Sequence, residues 1–171
     1  EVFRNEIYLE GLFNAFRMGL FTTLGCFAIS MPLAVLMNKY EFPGKKIASS
    51  ALLLPLVLPP FVGAIGVKQI LGQAGAVNVW LQSVGLQDPM APIDWLGQGQ
   101  MFGIVVMNVL HLYPILYLNI SSALANLDPT LEEAAENLGC VGWRRFVRVT
   151  LPLAMPGIFA GATIVFIWSF T

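Results

Sequence analysis

Charge is scarce in this chain. Asp, Glu, Lys and Arg make up 11% of its 171 residues, 57% are hydrophobic, and mean hydropathy is +0.73. Soluble domains carry about 25% charged residues, so a membrane protein is the expected class. The net charge of −1 gives no pointer to an acidic ligand, and no nucleic-acid partner is expected. Cysteine is almost absent: Cys26 lies in an apolar stretch and Cys140 in a polar one, which supports neither a disulfide framework nor a metal spacing. The lone histidine, His111, has no companions at useful spacing, so no metal site is expected. The phosphate loop, the nucleophile elbow, H-E-x-x-H and paired carboxylates are also missing, so no catalytic residue is assigned. There is neither the basic start nor the cleavage site of a secretory signal. The sequence opens on Glu1 and stops at Thr171 inside an apolar run, and it reads as a piece of a longer protein.

What the chain does have is long apolar runs. A hydrocarbon core about 30 Å thick needs about 20 helical residues. Four runs qualify: Met18–Asn38, Ile47–Leu71, Met101–Leu124, and one that starts near Leu151 and is cut by the end of the sequence. Backbone groups in lipid must be satisfied within a segment, which makes each run a helix. The predicted fold is all-α, a polytopic transmembrane bundle forming one domain over residues 1–171. Pro55, Pro59 and Pro60, followed by Gly63 and Gly66, predict a kink in the second span. Such a bend serves either helix packing or the lining of a pathway.

Basic residues set the orientation. Lys39, Lys45, Lys46, Arg144, Arg145 and Arg148 fall in loops on one side, and Arg4, Arg17 and Lys68 on the other. The first group is predicted to be cytoplasmic. The Gly72–Gln100 loop, with Asp88 and Asp94, then faces outward, as does the Glu1–Phe16 stretch, which implies a span upstream. In the outer loop a short interfacial helix is expected near Val77–Val84, with Trp80 and Trp95 as headgroup anchors. The loop then passes to Gly85, Pro89, Pro92 and Gly97.

The loop at residues 127–150 holds a polar helix between two apolar spans. Asp128 can cap it, and Pro129 suits its first position. Glu132 and Glu133 sit in the first turn, where the helix dipole favours negative charge. Ala134 and Ala135 leave room for a partner's close approach, and Gly139 ends the helix. Leu131, Ala135 and Leu138 are expected to share a face. The order is Glu133-Ala134-Ala135, three residues, Gly139, nine residues, Val149, one residue, Leu151-Pro152. That order resembles the cytoplasmic loop of the membrane subunits of binding-protein-dependent (type I) ABC importers, with Val149 where the family has Ile. The likeness extends over the whole chain and is greatest to the ferric-iron, polyamine and phosphonate branch. Gly72-x-x-Gly75-x-x-Asn78 is similar to a stretch of the ferric-iron permeases.

The resemblance implies a permease that pairs with a second permease half. It implies ABC ATPase subunits inside, an extracytoplasmic solute-binding protein outside, and a multi-pass place in a bacterial or archaeal cytoplasmic membrane. ATP and magnesium would be bound by the ATPase, with no cofactor in this chain. The ATPase-docking residues would be Glu132, Glu133, Ala134, Ala135, Gly139, Leu151 and Pro152. Ferric iron is the expected substrate. Candidate pathway residues are Pro59, Pro60, Asn108 and His111. For His111 the alternative is a helix–helix hydrogen bond. A secondary transporter or channel without an ATPase is the rival class. It would require intramembrane carboxylates or inverted repeats, whereas the ten acidic residues all fall in expected loops or the N-terminal stretch.

Overall fold

The computed structural model describes residues 6–57, 59–88, 91–96 and 100–171. Arg4, Pro89, Gly97 and the side chain of Pro60 lie outside the described residues. Among the described residues there are helices and no strands. Three helical runs, Ile7–Lys39, Met101–Ala125 and Gly142–Phe170, are long and apolar enough to cross a membrane. A broken pair would make a fourth.

The first helix, α1, covers Glu6–Lys39, so it starts at Glu6 and not at Met18. Residues 6–17 contain no proline, and the Arg17 guanidinium lies 5.0 Å from the centre of the Phe13 ring one turn away. The polar residues of the N-terminal stretch from Glu6 onward therefore belong to the first turns of this helix. Its 34 residues give a rod about 51 Å long. Glu6 and Glu10 accordingly sit on this helix.

The second span bends where the prolines predict, within Pro55–Pro60, and there it breaks completely. It divides into α2 (Lys45–Leu52), α3 (Leu54–Val57) and α4 (Pro60–Leu71), followed by α5 (Ala76–Ser83). The segments Lys45–Val57 and Phe61–Ser83 meet at 104°. One proline removes one backbone donor and bends a helix. Pro55, Pro59 and Pro60 remove three within two turns, and Pro60 begins the next helix at its first position. The exposed ladder is partly repaired from outside: the Tyr113 hydroxyl donates to the carbonyl oxygen of Leu52 at 2.9 Å.

Helix α6 (Gln100–Ala125) runs parallel to α1. Cys26 Sγ meets the Val109 carbonyl at 3.7 Å, Ser30 Oγ donates to the Tyr113 carbonyl at 2.8 Å, and Asn38 Nδ2 donates to Ser121 Oγ at 2.8 Å. Each pair is 83 residues apart, and a constant separation requires helices that run the same way. The buried core between them includes Ala34, Leu112, Leu116 and Ile120.

The last span also starts early. Helix α8 (Gly142–Arg145), a π turn (Phe146–Thr150) and α9 (Leu151–Phe170) form one continuous helix. The Leu151 amide donates five residues back to the Phe146 carbonyl. Pro152 offers no amide to continue the regular ladder, and the widened turn precedes it. The loop expected over 127–150 is thus helical from Gly142 onward. Helix α9 packs closely on α6. A Cβ on Gly157 would lie 2.5 Å from Ala123 Cβ, and one on Gly161 2.8 Å from both Asn119 Cβ and Leu116 Cδ1. This is the small-xxx-small pattern by which apolar helices approach in lipid.

Candidate functional site

The polar helix forms where the sequence places it. Helix α7 covers Pro129–Asn137. Asp128 Oδ1 accepts from the Thr130 amide at 2.9 Å and from the Thr130 hydroxyl at 2.8 Å. The Thr130 amide, with its hydroxyl second, holds the Asp128 carboxyl below the usual carboxylate range. At the other end Gly139 has φ +77°. The Gly139 amide donates to the Glu136 carbonyl at 2.8 Å, and the Cys140 amide to the Ala135 carbonyl at 2.9 Å. These two bonds form a Schellman ending, and a side chain at the left-handed position would strain it. The helix is a closed unit of nine residues, shorter than a free helix can be in water, so caps and packing hold it.

Its two sides differ. Glu133 and Ala134 are exposed, while Ala135 is 8% exposed. Of Leu131, Ala135 and Leu138, expected on one face, only Ala135 is buried, and Leu138 is 87% exposed. Leu138 is the terminal residue, with ψ near zero, where the chain turns out of helical geometry. Glu132 points inward. Its Oε1 accepts from the Thr150 hydroxyl at 2.7 Å and lies 3.4 Å from Lys39 Nζ, while Oε2 lies 3.7 Å from an Arg145 nitrogen. Arg145 also pairs with Glu136. Lys39 Nζ lies 5.7 Å from the centre of the Phe146 ring. The Thr150 hydroxyl, joined by the charges of Lys39 and Arg145, lowers the Glu132 carboxyl below its ordinary value against the opposing effect of desolvation. Leu151 and Pro152 belong to the continuous last helix, Leu151 half-buried and Pro152 exposed. Arg144 and Arg148 are exposed.

The candidate pathway residues also converge. Pro59, Asn108 and His111 line one cavity of about 600 Å³ between the broken span and α6, together with Phe61, Ala64 and Met107. The two polar side chains are one turn apart on α6, with no hydrogen-bond partner among the described residues. The helix–helix hydrogen bond considered for His111 is therefore not made there. A wider cavity of about 990 Å³, lined by Lys68, Gln69, Gln73 and Asp94, shares Ala64 and Met107 with the first.

Residues 30–171 match the model of a family described as the inner membrane component of binding-protein-dependent transport systems. The chain belongs to that family. A spermidine/putrescine transport system permease protein of Haemophilus influenzae is 33% identical, over 94% of this chain and 55% of its own length. The molybdenum transport system permease ModB of the same organism is 31% identical, over 90% of this chain and 65% of its own. A probable molybdenum ABC transporter permease of Haloferax volcanii is 33% identical, over 95% and 55%. The chain thus spans between half and two thirds of the length of these relatives. The crystal structure of a bacterial ABC transporter that imports the acidic polysaccharide alginate has the same fold. Its TM-score is 0.77 at 23% identity, over 96% of this chain and 57% of that one.

In this member of the permease family, the segment from Gly72 to Asn78 is more ordered than its composition suggests. Asn78 is fully buried. Its amide donates to the carbonyls of Gly72, Gln73 and Ile93 at 2.8 to 3.1 Å, and its oxygen accepts from Trp95 Nε1 at 3.1 Å. A Cβ on Gly72 or Gly75 would sit 2.4 or 2.5 Å from a backbone oxygen. The Gly72-x-x-Gly75-x-x-Asn78 spacing therefore builds a knot beyond a simple turn, and Trp95 is a member of that knot. Trp80 is exposed on α5, which forms close to where it was expected. Sequence reasoning also missed Gly157 and Gly161, although their four-residue spacing was legible, and it missed Thr150, whose role depends on a partner eighteen residues away.

Proposed function

We propose that this chain supplies a transmembrane part of an ATP-driven importer and that α7 is the helix it offers to a separate ATPase. The observation that carries this reading is the two-sided helix itself. A capped polar segment stands at one end of an apolar bundle, with Glu133, Ala134 and the Gly139 turn exposed, in a family of binding-protein-dependent transport components. Glu133 is positioned to meet a basic group, and Ala134 to let a backbone approach closely. Gly139 keeps the end of the helix low. The ATPase would hold ATP and magnesium. A second permease half, an extracytoplasmic binding protein and the surrounding bilayer of a cytoplasmic membrane complete the assembly in this reading. The cavity at Pro59, Asn108 and His111, with Pro60 at its edge in sequence, is the proposed solute route. The permeases named above handle spermidine and putrescine, or molybdenum. None of those names mentions ferric iron, the substrate first expected, and the route's lining does not choose among these solutes.

The test is co-purification with the cognate ATPase, and solute uptake, for Gly139→Asp and Glu133→Ala beside an Arg148→Gln control. Both variants are expected to insert normally and to lose ATPase association or uptake. If both assemble and transport normally while the control fails, the docking role of α7 is wrong.

A further inference from the structure

The inward side of α7 carries a second role, which rests on the docking role of its outward side. Glu132 is surrounded by the membrane domain's own groups. Thr150 approaches at 2.7 Å, Lys39 at 3.4 Å and Arg145 at 3.7 Å. These three residues belong to different elements: Lys39 is the last residue of α1, Arg145 the last of α8, and Thr150 the last of the π turn. Thr150 is 1% exposed, and the charged side chains around Glu132 are all at most about one quarter exposed. Desolvated, charge-assisted bonds of this kind are stronger than surface ion pairs.

The geometry points to Glu132 as a positioning residue that joins the docking helix to α1 and to the π turn, so that displacement of α7 moves both spans. It is not a contact of the ATPase. A short helix can push on a bundle only through bonds that do not slip. Ala135 supplies packing without direction, whereas Glu132 accepts hydrogen bonds from Thr150 and Lys39, on two spans, and adds an ion pair with Arg145. The attachment at Thr150 falls in the π turn, where the backbone ladder is already widened. The motif thus divides by side: Glu133 and Ala134 meet the partner, and Glu132 passes the motion inward.

The experiment uses the full permease assembled with its ATPase and binding protein in proteoliposomes, and it measures ATPase association, ATP turnover and solute taken up per ATP. Glu132→Gln and Thr150→Val are expected to keep association and turnover while uptake per ATP falls about tenfold, the scale of one charge-assisted hydrogen bond. Thr150→Ser, which keeps the hydroxyl, restores uptake per ATP. If Glu132→Gln does not reach the membrane, Thr150→Val alone reads the same bond. The proposal is overturned if Glu132→Gln loses ATPase association as Glu133→Ala is expected to, or if uptake per ATP is unchanged in every variant. Retention of ATPase by Glu133→Ala and Gly139→Asp would instead overturn the docking role on which it rests.

Discussion

The Tyr113 hydroxyl donates to the Leu52 carbonyl at 2.9 Å, tying the middle of α6 to the point where the second span comes apart. The same residue's backbone carbonyl accepts from Ser30 on α1. One position thus holds both the parallel helix pair and the broken segment in place.

Tyr113→Phe removes one bond and leaves the Leu52 carbonyl without it. A buried group left unsatisfied costs about 1–3 kcal/mol. The variant is expected to lower the denaturation midpoint in mixed micelles by a corresponding amount. An unchanged midpoint would mean that water or another donor serves Leu52 equally well.

Gly161→Leu should be worse than Gly161→Ala. Even a Cβ meets Asn119 and Leu116 at 2.8 Å, and overpacking of this kind costs about 1–3 kcal/mol. The readout is resistance to detergent unfolding of the α6–α9 pair. Equal resistance in the two variants would contradict the close approach.

The Glu132 network has a defined acid limit. Its carboxyl is held below the ordinary value of 4.5, chiefly by the Thr150 hydroxyl. A depressed folded value means that its stabilisation is fully present above 4.5 and lost as pH falls through the folded value. Protection of the α7 amides from hydrogen exchange, relative to the intrinsic rate at each pH, should therefore be high at neutral pH and fall only below that range. Thr150→Val, which removes the main cause, should move the loss of protection to higher pH. Identical profiles would exclude the link.

Asn108→Leu and His111→Leu are expected to reduce uptake roughly fivefold each, the scale of one polar contact, with ATPase association unchanged. His111→Gln should retain most uptake, since no metal coordination is assigned to it. Full uptake in both leucine variants would remove the cavity from the solute route.

With Cys26 and Cys140 replaced by serine, single cysteines at Lys46 and Arg144 should be shielded from an impermeant reagent applied outside, and one at Asp88 should react. All three are exposed positions. Labelling of Arg144→Cys from outside would invert the orientation.

The helical spans were readable because apolar runs of that length have one backbone solution in lipid. Helix α7 was readable because its caps are local: Asp128, Pro129 and Gly139 each act within a few residues. Three features were not. The reach of the first helix back to Glu6 escaped because polarity marks where a helix leaves the apolar layer, and not where it ends. The bend in the second span was legible from Pro55, Pro59 and Pro60, but its size was not, because three lost donors in succession open the ladder further than one does. The inward turn of Glu132 depends on Lys39 and Thr150 arriving from other elements, and the sequence places no marker on such a meeting. At the outer end, Asn78 was visible as a spacing, but its burial was not.

The π turn at Phe146–Thr150 also carries information in its length. It holds one residue more than a regular helix needs, so everything before it is turned by about 100° relative to everything after it. Arg145 reaches Glu132 and Glu136 while α9 presents Gly157 and Gly161 to α6, and a regular helix could not satisfy both phases. Deleting Val147 would leave every other named side chain in the sequence and swing Arg145 off its carboxylates. In this segment the count of residues is as much a specification as their identity.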